Sequence, residues 1–251
     1  MKKTVLITAV IFCFMIIASG HARAIGFELS AGYWKQSPSG YVSYKPVSDT
    51  DRLDVESDLK YDDEGRPFVR ARLYTPGVLP NIYFMATPMK FEADSVLSRS
   101  FRFGDQVFSI NEAFYSKVEL NHYDVGLFYK LPLTGAPLGL EAGLNVRIID
   151  FYAEVKSSLR DERKSLTTAV PMVYVAVLIN PADFFALEAE GRGVVYNSNH
   201  YYDFIGRVKI KPFGPFFIAG GYRYEDIKID QDDVDARVKF KGPFIEAGVA
   251  F

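Results

Sequence analysis

The feature that most constrains this chain is an alternation of apolar and polar side chains at every second residue, repeated in ten segments. Between residues 138 and 155 one face carries Leu140, Ala142, Leu144 and Val146, and the other carries Glu141, Gly143, Asn145 and Arg147. Successive side chains of a β-strand point to opposite faces, so a period of two indicates strands with one apolar and one polar face. We therefore predict an all-β protein.

The ten segments are separated by turn residues, and the connections between them alternate in length. The segments cover residues 26–35, 67–74, 82–93, 117–131, 138–155, 166–179, 184–196, 201–211, 216–229 and 234–251. In an up-and-down arrangement the two long connections, 36–66 and 94–115, and a charged loop at 160–164 fall at one end. The short turns, such as 132–137, fall at the other. This asymmetry is typical of transmembrane barrels, whose longer loops lie outside the cell.

We therefore predict a single transmembrane antiparallel up-and-down β-barrel over residues 25–251, with ten strands. Eight or twelve strands are the alternatives, because Pro88 and Pro243 interrupt two segments and the first segment could extend past Ser37. Aromatic residues make up 15% of the chain, which favours a barrel over a bundle of membrane helices. The formal charge of −2 gives no indication of nucleic-acid binding.

The first 24 residues have the pattern of a cleavable signal peptide. Lys2 and Lys3 precede an apolar run from Val5 to Ala18, and Ala22-Arg23-Ala24 is a small-x-small cleavage site. An amino-terminal anchor is the alternative, but the run is shorter than the ~20 residues of a spanning helix. The single cysteine, Cys13, lies in this segment. We therefore expect an exported chain without disulfides or thiolate metal sites.

The last segment carries Ile245, Ala247, Val249 and Phe251 on its apolar face. A terminal aromatic residue suits the membrane–water boundary, where barrels have aromatic girdles. In this the chain resembles outer-membrane proteins of Gram-negative bacteria, whose closing strands are read by the barrel-assembly machinery. The resemblance implies that this strand directs assembly in the outer membrane. We expect the protein to be a monomer that contacts outer-membrane lipid and needs no cofactor.

Five short phrases occur along the chain, namely Gly32-Tyr33-Trp34, Leu79-Pro80-Asn81-Ile82, His122-Tyr123-Asp124, Val170-Pro171-Met172-Val173-Tyr174 and Gly242-Pro243-Phe244. In that order and spacing they resemble a family of uncharacterised outer-membrane β-barrel proteins of proteobacteria. Members often carry an acidic Asp-Asp-Leu-Gly-Leu phrase in the first long loop, where this chain has Ser57-Asp58-Leu59-Lys60-Tyr61. The resemblance implies a fold and a location, and it transfers no functional residues.

If the apolar faces point to lipid, the charged faces line the barrel interior. The predicted interior ion network contains Glu28, Arg70, Arg72, His122, Asp124, Lys130, Glu141, Arg147, Glu188, Glu190, Arg192, Asp203, Arg207, Lys209, Arg223, Glu225 and Glu246. Buried charges cost free energy unless they are paired, so this balanced set predicts a cross-linked interior and a structural or surface-interaction role. Barrels of about eight strands are filled by side chains. The alternative is a narrow porin-like channel with little ion selectivity.

An outer-membrane enzyme, a protease or a lipid-modifying enzyme, is a further alternative. Barrel proteases resemble this chain in size and use Asp and His near the extracellular rim, which directs attention to His200, Asp203, Asp232 and Asp233. Barrel lipid-A deacylases pair a histidine with a serine two residues later, and no histidine here is followed by one. His122 and Asp124 could form an acid/base pair, but membership of an ion network explains them as well. We expect no catalytic site.

Three other possibilities follow from the same pattern. Asp230, Asp232, Asp233 and Asp235 could offer oxygen ligands to Ca²⁺, but they lack the spacing of a calcium loop, so we expect no metal site.

We interpret Trp34 as an anchor at the membrane interface. A soluble periplasmic barrel that binds a lipid is the third possibility, and its apolar faces would point to a common centre.

Overall fold

The computed structural model describes residues 25–131, 137–231 and 233–251. The predicted signal peptide, most of the predicted turn 132–137 and Asp232 lie outside these ranges. The strands are β1 (Gly26–Tyr44), β2 (Leu53–Asp54), β3 (Glu64–Tyr74), β4 (Asn81–Thr87), β5 (Lys90–Val96), β6 (Phe101–Phe103), β7 (Gln106–Phe108), β8 (Ala113–Lys130), β9 (Leu138–Ser157), β10 (Asp161–Ala182), β11 (Phe185–Tyr196), β12 (Asn199–Phe213), β13 (Phe216–Gln231) and β14 (Val234–Ala250). Among the described residues no helix is long and apolar enough to cross a membrane.

Ten wall strands form a closed antiparallel barrel, which confirms the predicted strand number. β4 and β5 act as one wall strand interrupted at Pro88, because both pair with β8 in one continuous register. Neighbouring wall strands pair in chain order, and β14 closes the barrel on β1. At this seam Phe27 and Phe251 exchange two backbone hydrogen bonds with N···O distances of 3.0 and 2.8 Å.

The outer wall is apolar and the inner wall is charged. Leu144, Val173 and Ile245 face outward and are 69%, 59% and 60% exposed, whereas Arg147 and Glu225 face inward and are fully buried. Water would favour the reverse distribution, and lipid favours this one. The barrel is therefore transmembrane, and the alternative of a soluble barrel with its apolar faces turned inward is wrong.

The two ends of the barrel differ in their connections. Residues 45–63 and 97–112 lie at the same end, which is the extracellular one because outer-membrane barrels have their longer loops there. β9 and β10 rise beyond the apolar band at this end, where the outward-facing residues of β9 change from Ile148 to Asp150 and Glu154. The predicted loop at 160–164 is therefore wrong. β10 already begins at Asp161, because a strand surrounded by water carries charged side chains without cost.

The β1–β14 seam depends on a glycine at position 242. The Trp34 indole donates to the Gly242 carbonyl at 3.2 Å, and a Cβ at Gly242 would lie 1.8 Å from the Lys35 carbonyl oxygen. We expect Gly242→Ala to destabilise the barrel by about 1–3 kcal/mol, because the two strands must move apart. The measurement is the urea midpoint of the refolded protein in lipid vesicles, followed by heat-modifiable gel migration.

Gly206→Ala is the matched control for this substitution. Gly206 lies on wall strand β12, and a Cβ there meets nothing within 4 Å. Its urea midpoint should equal that of the unmodified protein. Equal midpoints for the two alanine variants would contradict the assigned role of Gly242.

Candidate functional site: the barrel interior and its extracellular cap

Sixteen charged or titratable side chains fill the periplasmic and middle parts of the barrel, and we call them the ion network. Each is at most 5% exposed. They come from eight wall strands, because alternate residues of every strand point inward. The members are Glu28, Arg70, Arg72, His122, Asp124, Glu141, Arg147, Glu188, Glu190, Arg192, Asp203, Arg207, Lys209, Arg223, Glu225 and Glu246.

Lys130 is the one predicted member of the interior ion network that lies elsewhere, so the prediction for this residue is wrong. It is the last residue of β8 and is exposed at the periplasmic mouth. Its ammonium group lies 4.2 Å from the centre of the Tyr74 ring, in a cation–π contact. The period of two gives its direction correctly, but the strand ends before the side chain is enclosed.

Arg207 is the centre of the periplasmic part of the ion network. Its guanidinium donates to Glu28 at 2.8 Å, to Glu188 at 2.8 and 2.5 Å, and to Glu246. Lys209 lies 2.8 Å from Glu28 and 2.6 Å from Glu188. Three carboxylates from three strands are thus held by two cations of β12.

Glu190 connects this part to the middle of the barrel. Its carboxylate accepts hydrogen bonds from Arg70 at 2.8 Å, from Arg72, and from Arg192 at 2.8 Å. Arg192 also donates to Asp203 at 3.2 Å. The network is therefore continuous, since one arginine contacts the carboxylates of both parts.

Asp203 is the centre of the middle part. Arg223 binds it through two bonds of 3.0 and 2.9 Å, and Arg147 donates to it at 2.5 Å. Arg147 also binds Asp124 through two bonds of 2.9 Å. The planar guanidinium suits such paired bonds to carboxylates, and it makes these contacts directional as well as electrostatic.

His122 and Asp124 do not form the acid/base pair considered above, although both are buried. The His122 Nε2 lies 3.0 Å from the Tyr201 hydroxyl, and that hydroxyl donates to Glu225 at 3.2 Å. Asp124 is bound by Arg147 and accepts a bond of 2.6 Å from Asn145. Each residue has its own partners, so this arrangement links strands and offers no substrate access.

An apolar cluster of Trp34, Phe68, Met85, Ile205 and Phe244 packs between Arg70 and Arg223 of the ion network, and sequence reasoning missed it. Trp34 is fully buried, and its ring lies 4.6 Å from the Arg223 guanidinium, so its interpretation as an interface anchor is wrong. The sequence did contain a signal for this burial. Trp34 and Glu28 are an even number of residues apart in β1, so their side chains point to the same, inward face. The space between Trp34, Met85 and Ile205 leaves no room for a water molecule.

Residues 45–63 and 97–112 close the extracellular mouth, and we call them the extracellular cap. Leu53, Leu59 and Phe108 of the cap are at most 2% exposed. The ring of Phe101 stacks on that of Phe108 with centroids 4.9 Å apart, and it contacts Phe114 of the wall at 5.0 Å. The cap is therefore packed against the inner wall as a core.

Two aspartates hold the two loops of the cap together. Arg99 donates to Asp58 at 2.9 and 2.6 Å, and this hydrogen-bonded pairing lowers the pKa of Asp58. Burial raises the pKa of Asp51, but backbone N–H donors, including that of Arg102 at 2.7 Å, outweigh it and the pKa is lowered. Because both pKa values lie below their unfolded values, this stabilisation is present above the ordinary aspartate pKa. It is lost as pH falls through the lowered values.

The residues considered for a rim protease are not brought together. His200 stacks on Tyr202 and lies 3.3 Å from Asp226, whereas Asp203 is enclosed by arginines of the ion network. Asp233 is exposed, and Asp232 lies outside the described residues. Within the described ranges no group of three His, Cys, Asp or Glu side chains is placed to hold a metal ion.

The closing strand has the polarity that its sequence predicts. Ile245, Ala247 and Phe251 are exposed on the outer wall, and Val249 is half-buried beside Leu29. Glu246 lies on the opposite face, where it accepts hydrogen bonds from Ser30 at 3.1 Å and from Arg207. One strand thus contributes both to the lipid-facing wall and to the ion network.

Comparison with known proteins gives similarity of fold only. No protein-family profile matches the chain, and no curated protein matches its sequence. The translocator domain of the autotransporter NalP from Neisseria meningitidis is similar at 11% identity and a TM-score of 0.46, over 100% of this chain and 98% of that one. Ail, the attachment invasion locus protein of Yersinia pestis, is similar at 12% identity and a TM-score of 0.40, over 91% and 100%. Neisserial surface protein A is similar at 11% identity and a TM-score of 0.37, over 91% and 100%.

These scores lie below 0.5, so the roles of those proteins say nothing about the role of this chain. The assignment to the outer-membrane β-barrels rests on the architecture of this chain. A closed antiparallel barrel with an apolar outer wall, short turns at one end and longer loops at the other is the architecture of the Gram-negative outer membrane. The protein is an outer-membrane β-barrel.

Proposed function

We propose that this outer-membrane barrel is a closed, non-conducting scaffold whose function is to present an interaction surface outside the cell. The observation that carries the proposal is the filling of the interior from end to end. The ion network occupies the periplasmic and middle parts, the apolar cluster around Trp34 packs within it, and the extracellular cap closes the mouth. A barrel of ten strands is narrow enough for side chains to fill.

The energetics of the ion network favour a closed interior over a conduit. Each carboxylate that binds two or three guanidinium groups, as Glu190 and Asp203 do, is costly to separate from its partners. A permeating ion would have to break such contacts, and the apolar side chains packed among them would offer it no polar partners. Balanced charge therefore acts here as a cross-link between strands.

The extracellular end supplies the surface for the proposed role. β8, β9 and β10 continue above the apolar band, and their outward side chains there include Lys117, Glu154 and Arg163. These strands are held by ladders of backbone hydrogen bonds and backed by the cap, so the surface is rigid. A rigid surface binds a partner at low entropic cost.

Planar-bilayer recording of the refolded protein tests the closed state. We expect no current steps above the baseline, because the side chains of the ion network are each at most 5% exposed and fill the interior that an ion would have to cross. A large open porin inserted under the same conditions is the positive control, and heat-modifiable gel migration confirms folding. Reproducible ohmic steps would overturn the proposal and favour the narrow channel.

A further inference from the structure

The ladder between β10 and β11 ends halfway along β10. β9 pairs with β10 from Ile179 to Asp161, but β11 pairs with β10 only as far as Val173, opposite Gly193. β11 then ends at Tyr196 and the chain turns into β12. Residues 161–172 of β10 are therefore paired on one edge only, and we call this the open edge. Its length is about 40 Å at ~3.3 Å per residue.

The backbone groups on the open edge follow from the pairing geometry. Ser157 donates its N–H to the Arg160 carbonyl at 2.8 Å, so these residues form a hydrogen-bonded pair of the β9–β10 hairpin. Such pairs recur at every second residue of an antiparallel ladder. Even-numbered residues of β10 thus point their N–H and C=O groups to β9. The odd-numbered residues point theirs to the open edge, and these are Asp161, Arg163, Ser165, Thr167, Ala169 and Pro171.

Pro171 explains where the ladder with β11 stops. By the same parity the missing N–H of Pro171 would have pointed to β11, two residues beyond the last pair at Val173. The edge beyond it has donors again at Ala169, Thr167 and Ser165. Residues 165–169 are all exposed, including Leu166 at 54%.

β5 is a second wall strand that is paired on one edge only, but its unpaired edge is contacted by other residues. The open edge of β10 differs from it in this respect. Above Pro88, strand β5 pairs with β8 alone. Its other edge is contacted by Arg66, which donates to the Lys90 carbonyl at 3.2 Å, and by Leu59, whose carbonyl accepts a hydrogen bond of 3.0 Å from the Ser95 hydroxyl. No such contact reaches the open edge from the described parts of the chain.

The chemistry of the open edge suits an added strand. Residues 165–170, Ser-Leu-Thr-Thr-Ala-Val, are uncharged and rich in residues that favour strands. Exposed edges are usually protected by charge, by proline or by a covering segment. Here the charges stand at the tip, in Asp161 to Lys164, and the only proline lies at the base. The middle of the edge is unprotected.

We propose that the open edge binds an extended segment of another polypeptide by antiparallel strand addition, a mode in which the backbone ladder supplies affinity and alternate side chains supply specificity. The inference rests on the proposed surface-interaction function and names the kind of partner. The native strand on the other side of β10 indicates the preferred chemistry. Glu154 of β9 lies 3.3 Å from Arg163, and Asp150 accepts a hydrogen bond of 3.3 Å from Thr167. The partner segment should carry acidic residues at the corresponding positions.

A second copy of this chain is a poor occupant of the open edge. Two copies in one membrane stand in the same direction, so their β10 edges would meet in parallel. Every described pairing of wall strands in this barrel is antiparallel, and parallel pairing is slightly less stable per residue.

The probe is a fluorescently labelled synthetic peptide with the sequence of residues 148–156 of β9, Ile-Ile-Asp-Phe-Tyr-Ala-Glu-Val-Lys. Its binding to the refolded full-length protein is measured by fluorescence anisotropy. N-methylation at its residues 149, 151, 153 and 155 blocks only the edge that faces away from β10, and it also limits self-association of the peptide to dimers. This peptide should bind saturably. The peptide methylated at 150, 152 and 154 loses the donors that face β10 and should not bind.

Protein variants provide the second arm of the test. Ser165→Pro/Thr167→Pro removes two donors of the open edge and leaves the β9 ladder intact, as Pro171 does, and should weaken binding about tenfold or more. Ser165→Thr/Thr167→Ser keeps both backbone donors and both hydroxyl groups and should bind as the unmodified protein does.

Three results would overturn the inference: no saturable binding of the permitted peptide, equal binding of both methylated peptides, or dimerisation through this edge. Current steps in the bilayer with peptide binding intact would overturn only the closed-barrel proposal. A silent bilayer without peptide binding would overturn only the strand-addition proposal. The failures of the two proposals are therefore distinguishable.

Discussion

Replacing Arg147 by methionine is expected to destabilise the barrel by about 3–5 kcal/mol, enough to prevent assembly of a marginally stable protein. The Arg147 side chain is fully buried, binds Asp124 through two bonds of 2.9 Å, and donates to Asp203 at 2.5 Å. Its guanidinium also lies 4.8 Å from the Tyr201 ring. Methionine fills a similar volume but leaves Asp124 facing the other carboxylates without its cation. The urea midpoint of vesicle-inserted protein measures the loss.

Arg163→Met is the matched control, because Arg163 makes the same kind of contact on the outside. Its side chain is 54% exposed and pairs with Asp161 at 2.6 Å and Glu154 at 3.3 Å. Exposed ion pairs of this kind contribute about 0–1 kcal/mol, so the urea midpoint should hardly move. A double variant, Arg147→Met/Asp124→Leu, should recover part of the loss, because it removes a charge that the single variant leaves unpaired. Equal midpoints for Arg147→Met and Arg163→Met would contradict the role of the ion network.

The alternation in the sequence predicts most of the wall because a barrel in lipid has the simplest of burial rules. Every outward residue of the apolar band meets lipid and every inward residue meets the interior, so the period of two in β9 or β12 indicates both the strand and the direction of its side chains. The ten strands follow from the same rule. This burial rule applies only to the part of the wall that lies within the membrane. At residues 160–164 water lies on both sides, polarity no longer separates strand from loop, and the prediction of a loop is wrong.

The partners within the ion network could not be predicted for a different reason. The sequence indicates that Arg72 and Glu190 face inward, but their strands are far apart in the chain and meet across the barrel only because of its curvature and strand stagger. The extracellular cap has no periodic signal at all. Phe101 and Phe108 lie in a segment of irregular polarity, and their burial depends on tertiary packing against Phe114.

The division of the interior into an ion network and an apolar cap has a physical basis. Within the membrane the charged side chains of the wall must point inward, because lipid surrounds the outside. They are buried there, so the barrel is stable only if they are paired. Above the membrane, water surrounds the wall and apolar residues gain free energy by turning inward, as Phe91 and Phe240 do. Inward aromatic residues also lie among the ions within the membrane, as Phe128 and Phe217 do, but the inward charges of the ion network end near the height where the outer wall becomes charged.

Phe108→Ala is expected to release the extracellular cap while the wall stays intact. Phe108 is fully buried between Phe101 and Phe114, with ring centroids 4.9 and 6.1 Å away, and loss of such a side chain costs about 3–5 kcal/mol. The cost falls on the cap, because the hairpin β6–β7 pairs with no wall strand.

The measurement for this variant is trypsin cleavage after Arg99 or Arg102 in vesicle-inserted protein. The cleavage rate should rise by roughly a hundredfold or more, since about 1.4 kcal/mol corresponds to a tenfold change in the open population. Val107→Ala, in the same hairpin but at a residue that is 44% exposed, should leave the rate unchanged. Heat-modifiable migration should be normal for both variants, because the wall ladders are untouched. Equal cleavage of the two variants would show that the aromatic stack does not hold the cap. Global loss of the folded band in Phe108→Ala would show that cap and wall form one cooperative unit.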